Sequence, residues 1–372
     1  MPVGSGAQKA MSDVPTDKTA EWEDAARLAG RIVQPGPDVS KAKAIETVEV
    51  LRSSAQKAAP LAAKLSEMQA ADGRTINAHT LSRIYVVDRP SWALGAARSI
   101  HQMLRLDTQE PIPGEPDASD IASGVELTAV LTFLSRKTLG QFDPFGPSMG
   151  AAVTDPAWPL STADPRGNLL LVAPNILTTQ RAMVVDFEDF ALWVALHEQT
   201  HALQFAAAPW LPQYLQGLTN DLITAFPTEG RLRDWSRSAA SVLRGGNSIV
   251  DSILTAEQSE IFAKITTAMS ILEGHADVIM DLVSSRDIAN VAVLRRKFNS
   301  RRTSSTKRGD LIMRLSGMNA KMDQYRNGAK FVRAVRRRVG IQSVNALWQS
   351  PEHLPTSTEL DSPADWVARV VK

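Results

Sequence analysis

Two histidines four residues apart enclose a glutamate in the string Ala195-Leu196-His197-Glu198-Gln199-Thr200-His201. On an α-helix a four-residue step returns a side chain to the same face, about one turn on. Both imidazoles can therefore reach one Zn²⁺ at about 2.0–2.1 Å each. Glu198 sits roughly 100° further round the helix than His197, close to such an ion but off the ligand stripe. A carboxylate there is placed to take a proton from metal-activated water, so the chemistry implied is zinc-dependent hydrolysis with Glu198 as general base.

The chain contains no cysteine, which removes disulfides, thiol catalysis, iron–sulfur clusters and thiolate-bound zinc. An ion must then be held by His, Asp and Glu, and two imidazoles need a third ligand. The string Ile271-Leu272-Glu273-Gly274-His275-Ala276-Asp277 offers one. Glu273 is the expected ligand. Asp277, four residues on and on the same face, is the expected acceptor for the free N–H of a ligating imidazole. His275 competes for the ligand role, although it lies about 200° from Glu273 on a regular helix, and a residue elsewhere in the chain stays open. An oxyanion donor is also required, with Tyr325, Tyr214 and His275 as candidates. Gly274 in mid-helix costs about 1 kcal/mol relative to alanine, which implies a close helix neighbour, expected to be the helix that carries His197.

The elements that must position these groups are mostly helical. Apolar spacing predicts helices over 21–33, from an Asp38 cap to about Ala58, after a Ser91 cap, and over 119–139 with Gly140 just past its end. Residues 107–118 read as a loop. Prolines punctuate 140–186, where Leu169-Leu170-Leu171-Val172 is the one convincing strand, either an edge strand above the site or a buried one. Helices are predicted again over 187–207, capped by Asp186 and closed by Pro209, and over about 256–283. The expected fold class is mainly α with a small β component (α+β). Expected divisions are a disordered tail at 1–18, a helical part at 19–139 and a catalytic part at 140–372.

Of 372 residues, 44% are hydrophobic and 22% charged, and 41 basic residues against 40 acidic leave a net charge of +1. That composition supports a buried core and supplies no long-range field for nucleic acid or an anionic membrane. The opening residues lack a signal-peptide core, and no run of eighteen apolar residues occurs, so a cytoplasmic protein without a membrane span is expected. The run from Arg295 to Arg308 holds seven basic residues in fourteen. It reads as a solvated helix end rather than a nucleic-acid site. Trp210, Trp235 and Trp348 are expected to be core or interface anchors.

The two metal-site strings together resemble the gluzincin branch of zinc peptidases, which pairs H-E-x-x-H with a glutamate on a later helix. More narrowly, the chain is similar to a mainly actinobacterial, zincin-like family of uncharacterised metallopeptidases, some labelled as associated with deazaflavin-cofactor biosynthesis. The similar segments are Leu139 to Phe145, Leu169 to Asn175, Leu192 to His201, Glu273 to Asp277, Lys321 to Tyr325, and the C-terminal Leu347-Trp348, Leu354-Pro355-Thr356 and Trp366. The resemblance implies a zincin-like fold and a hydrolase and leaves its substrates open; with the Zn²⁺ cofactor expected from the ligand pattern, a peptide or protein substrate is expected. The resemblance also puts Tyr325 first among the oxyanion donors. Phe142 stands where tyrosine is expected, so no catalytic phenol is assumed there. A metal-stabilised binding or scaffold protein without turnover is the competing expectation, and Glu198 argues against it, since a scaffold needs no general base.

Overall fold

The structure is a computed structural model that describes residues 18–104, 118–146, 166–225, 255–303 and 319–371. Its helices are α1 (Lys18–Ile32), α2 (Lys41–Ser66), α3 (Arg89–Leu104), α4 (Ala118–Ser135), α5 (Ala173–Met183), α6 (Phe187–Ala207), α7 (Leu211–Thr224), α8 (Ala256–Leu282), α9 (Val291–Thr303) and α10 (Asn319–Val339). Short helices follow at Ile341–Val344, Ser357–Asp361 and Pro363–Val370, and the strands are β1 (Arg83–Val87), β2 (Gly140–Asp143) and β3 (Asn168–Val172). The fold is mainly α with a small β component, as the pattern predicts. No helix among the described residues is long and apolar enough to cross a membrane. The expected tail, the 107–117 loop and Trp235 lie outside the described residues.

Helix α6 occupies the centre. Its first turn is closed by Asp186, whose Oδ1 accepts the Asp189 N–H at 2.9 Å, and its flanks are apolar almost all round. Phe190, Ala191, Ala195, Leu196 and Leu203 are fully buried, the pattern of a helix surrounded by protein. Helix α2 packs along it through the alanines Ala55, Ala58, Ala59 and Ala62, all without exposure. That small-residue face carries α2 straight through Pro60 to Ser66, where the sequence suggests an end near Ala58. The lost N–H at Pro60 removes one helical bond, while close packing on α6 holds both sides of the break. The α2 cap is Ser40, not Asp38, and α3 is opened by Asp88, which accepts the Ser91 N–H at 2.8 Å.

The sheet has the order β1-β3-β2, with β1 parallel and β2 antiparallel to β3. Strand β3 is the middle strand and is buried on both faces. Leu169 and Leu171 face the main core, and Leu170 and Val172 a smaller one with Trp92, Ala26 and Ala29. Its continuous apolar run suits that position, so β3 is not an edge. The edge nearest α6 is β2. Gly140, expected to close a helix, is instead the first residue of β2, because α4 ends at Ser135. The far end of β2 is tied down by Asp143. Its Oδ1 accepts N–H groups from Phe145 at 3.0 Å and Gly146 at 2.9 Å and the Ser99 hydroxyl at 2.5 Å.

Gly274 does mark a close helix approach, but the neighbour is α10, not α6. A Cβ on Gly274 would lie 2.3 Å from the Gly328 carbonyl carbon, and a Cβ on Gly328 would lie 1.9 Å from the Ser270 oxygen. The backbones of α8 and α10 therefore touch at a glycine pair. Gly328→Ala is expected to force them apart and lower stability by about 1–3 kcal/mol, read as a fall in melting temperature. Gly217→Ala in α7, where a Cβ would meet nothing within 4 Å, is expected to raise stability by up to about 1 kcal/mol.

Candidate metal centre

Five elements border one cavity of about 400 Å³: α6, α8 and the start of β2, with α9 and α10 on its far side. The His197 and His201 Nε2 atoms, from consecutive turns of α6, are 3.2 Å apart. Glu273 on α8 faces both, with Oε2 3.5 Å from His197 Nε2 and Oε1 3.7 Å from His201 Nε2. Ligands about 2.05 Å from a tetrahedral ion are separated by about 3.3 Å, so these atoms already form one face of such a site. Among the described residues this is the one group of His, Asp and Glu side chains placed to hold an ion. Neutral imidazoles and a carboxylate are the donor types Zn²⁺ takes in sites that keep a fourth position open. The residues fit the metal that the sequence implies.

Glu198 lies beside this triangle and is 8% exposed. The edge strand holds it: Phe142 N–H donates to Glu198 Oε2 at 3.1 Å, and Gly140 lies against its side chain. A Cβ on Gly140 would stand 2.6 Å from Glu198 Cγ. Burial raises the Glu198 pKa above the usual carboxylate range, and Glu273 adds to this, while the two histidines and the Phe142 N–H oppose it. A buried carboxylate with raised proton affinity is suited to proton transfer near neutral pH.

For His197, the largest single influence is burial, which disfavours the charged ring. The hydrogen bond to Glu273 and the charges of Glu198, Glu273 and Asp277 together outweigh it and lift the pKa to about 9 in the metal-free protein. A metal must displace that proton. Zinc affinity is therefore expected to rise about tenfold per pH unit across the neutral range and to level off near pH 9. Calorimetric titrations in buffers of different ionisation enthalpy would show close to one proton released at pH 7.

Asp277 and His275, the two neighbours given roles by the sequence, stand differently around the triangle. Asp277 does line the cavity one turn beyond Glu273, and its charge acts on His197. The ring nitrogen of His201 turned away from the triangle, however, meets an amide instead of a carboxylate. Gln204 Oε1 lies 2.9 Å from His201 Nδ1. His275, weighed as a third ligand and as a donor, is fully buried and stands outside the cavity wall. Its Nδ1 is 3.0 Å from Gln204 Nε2 and its ring meets Trp348 edge to face at 5.2 Å. Burial, with a smaller contribution from His201, lowers its pKa to about 3, so it is neutral. A residue two positions from Glu273 faces the opposite side of α8, which is why it misses the metal triangle.

Tyr214 packs edge-on against Trp210 at 5.7 Å, half-buried against the outside of the core and not among the residues that line the cavity. Tyr325 belongs to α10, and its side chain lies outside the described residues. Trp210 and Trp348 are core anchors, joined by a bond from Trp210 Nε1 to the Trp348 carbonyl at 2.9 Å. At the start of the basic run Arg296 is exposed, while Arg295 and Lys297 on either side of it bind helix ends. Arg295 Nη2 donates to the carbonyls of Met280, Asp281 and Val283 at 2.7–2.9 Å. Lys297 Nζ donates to those of Met183 and Val184 at 2.7 and 2.8 Å. Both cations stabilise the negative C-terminal ends of α8 and α5.

Gln204, Gly140 and the Phe142 amide touch the candidate site, a contact that the sequence pattern does not point to. Gln204 was within reach of helical spacing, being three residues from His201 on the same face. The other two depend on a strand meeting a helix 56 residues away.

A family described as zincin-like metallopeptidases matches this chain over residues 20–367. A solved structure from Chloroflexus aurantiacus, described as a candidate hydrolase with a novel fold, is 27% identical, with a TM-score of 0.61 over 94% of this chain and 97% of that one. No curated protein matches the chain.

Proposed function

This chain belongs to the zincin-like metallopeptidase family, and from that premise we propose that it is a zinc-dependent peptidase acting on a peptide or protein substrate. The observation that carries the proposal is the convergence of His197, His201 and Glu273 donor atoms at 3.2–3.7 Å, with the buried Glu198 on the same cavity. The similar Chloroflexus structure, described as a candidate hydrolase, agrees with a hydrolytic role.

His197, His201 and Glu273 would hold the ion, which when bound supplies a lowered water pKa and a Lewis acid for the substrate carbonyl. The chain's own groups do the remainder. Glu198 accepts a proton from the attacking water and delivers it to the departing amine. The Phe142 N–H fixes one oxygen of that carboxylate and leaves the other for proton transfer. Trp193, Met280 and Phe298 give the cavity an apolar side that limits water near the scissile bond. Arg333 and Asp281 border it as an ion pair, Nη2 to Oδ2 at 2.7 Å.

The test is metal analysis of the purified protein together with hydrolysis of a peptide library. One zinc per chain is expected, with cleavage abolished by a chelator and restored by Zn²⁺. A protein that binds zinc stoichiometrically yet cleaves no member of a broad library would instead be a metal-stabilised scaffold.

A further inference from the structure

We propose that Gln204 is a positioning residue that sets the tautomer of His201 from the backbone of the opposite ligand helix. The proposal rests on the zinc-site reading above. Gln204 is fully buried in the last turns of α6. Its Nε2 donates to the Leu272 carbonyl at 2.9 Å and lies 3.0 Å from His275 Nδ1, while its Oε1 lies 2.9 Å from His201 Nδ1.

Only one assignment of protons satisfies this set. The Leu272 carbonyl can only accept, so the amide nitrogen, not the oxygen, must face it. The amide oxygen then faces His201, and because that oxygen can only accept, His201 Nδ1 must carry the hydrogen. A neutral His201 with its hydrogen on Nδ1 presents a lone pair on Nε2, the atom that faces His197 and Glu273. The second amide hydrogen is left for His275 Nδ1, which therefore accepts. A neutral His275 is thereby fixed as the Nε2–H form. That Nε2 has no hydrogen-bond partner, and the Trp348 ring against His275 is the kind of surface an N–H can point towards.

Leu272 is the residue before Glu273. The same stretch of α8 therefore presents the carboxylate ligand and, through one buried amide, orients the imidazole ligand on α6. His201 would lose its fixed form if the amide were removed, and the spacing of α6 and α8 would lose its polar tie.

The test has two arms. In the uniformly ¹⁵N-labelled, metal-free full-length protein, at a pH above the His197 titration, the ¹⁵N shifts and couplings report which ring nitrogen carries hydrogen. His201 is expected as Nδ1–H and His275 as Nε2–H; a wild-type His201 in the Nε2–H form would overturn the proposal. This arm needs no variant and no bound metal, so it decides the tautomer even if the protein proves not to take up zinc, an outcome that would sink the peptidase reading alone. In the second arm, Zn²⁺ affinity is measured for Gln204→Leu and Gln204→Glu. A loss of about 10–100-fold is expected for the leucine variant, with His201 released from the Nδ1–H form. Gln204→Glu keeps an acceptor for His201 but sets oxygen against the Leu272 carbonyl, and is expected to lose affinity as well. A leucine variant that binds Zn²⁺ within twofold of wild type, or that melts earlier with the His201 tautomer unchanged, would mean that Gln204 is packing alone.

Discussion

Glu198→Gln is expected to lower kcat by about 10²–10⁴-fold while zinc content stays at the wild-type level. Glutamine keeps the volume of the side chain and an oxygen for the Phe142 N–H, so the contact with β2 survives. What disappears is the proton-accepting oxygen. Burial has already raised the proton affinity of the native carboxylate, so in the proposed mechanism it would take a proton from water and release it to an amine; the amide would do neither. Steady-state kinetics on a fluorogenic peptide, with metal analysis on the same preparation, separate the two quantities. A variant that retains more than a tenth of wild-type kcat would remove Glu198 from the proton-transfer role.

Glu273→Leu is expected to eliminate zinc at stoichiometric loading and all hydrolysis with it. The carboxylate supplies the third corner of the donor triangle, at 3.5 and 3.7 Å from the two Nε2 atoms, and leucine offers no donor. Loss of a direct ligand should exceed the roughly 10–100-fold affinity penalty typical of a supporting partner. Glu273 also provides the hydrogen bond, and part of the charge, that lifts His197 to about 9. The same substitution should therefore lower the His197 pKa in the metal-free protein, which NMR titration reads without any metal. Retention of one tight zinc per chain would show that another residue completes the site.

The part of the site that lies within single helices was legible in the sequence. His197, Glu198 and His201 obey a four-residue step, and the bounds of α6 follow from Asp186 and Pro209. Glu273 stood out because α8 shows helical periodicity and places a second carboxylate one turn on. What stayed hidden are meetings between distant segments. Gln204 bonds His275 across 71 residues and Phe142 bonds Glu198 across 56, and no local pattern encodes either. Gly274 was legible as a close-approach point, but its partner, Gly328 on α10, was not. The glycine fixes only how near a neighbour comes, not which helix it is. Pro60 misled for a related reason, since local propensity ends a helix there and tertiary packing of Ala55, Ala58, Ala59 and Ala62 continues it.

The strand that grips Glu198 does so with main-chain atoms. The Phe142 ring packs on Phe205 at 5.5 Å, while the amide of the same residue serves the carboxylate. Side-chain exchange at position 142 leaves that donor in place, and only proline deletes it. The Glu198 carboxylate is thereby insulated from most side-chain changes in its own support, since tyrosine or phenylalanine at position 142 supplies the same amide. The vulnerable neighbour is Gly140, where the smallest possible addition, a methyl group, reaches the carboxylate arm.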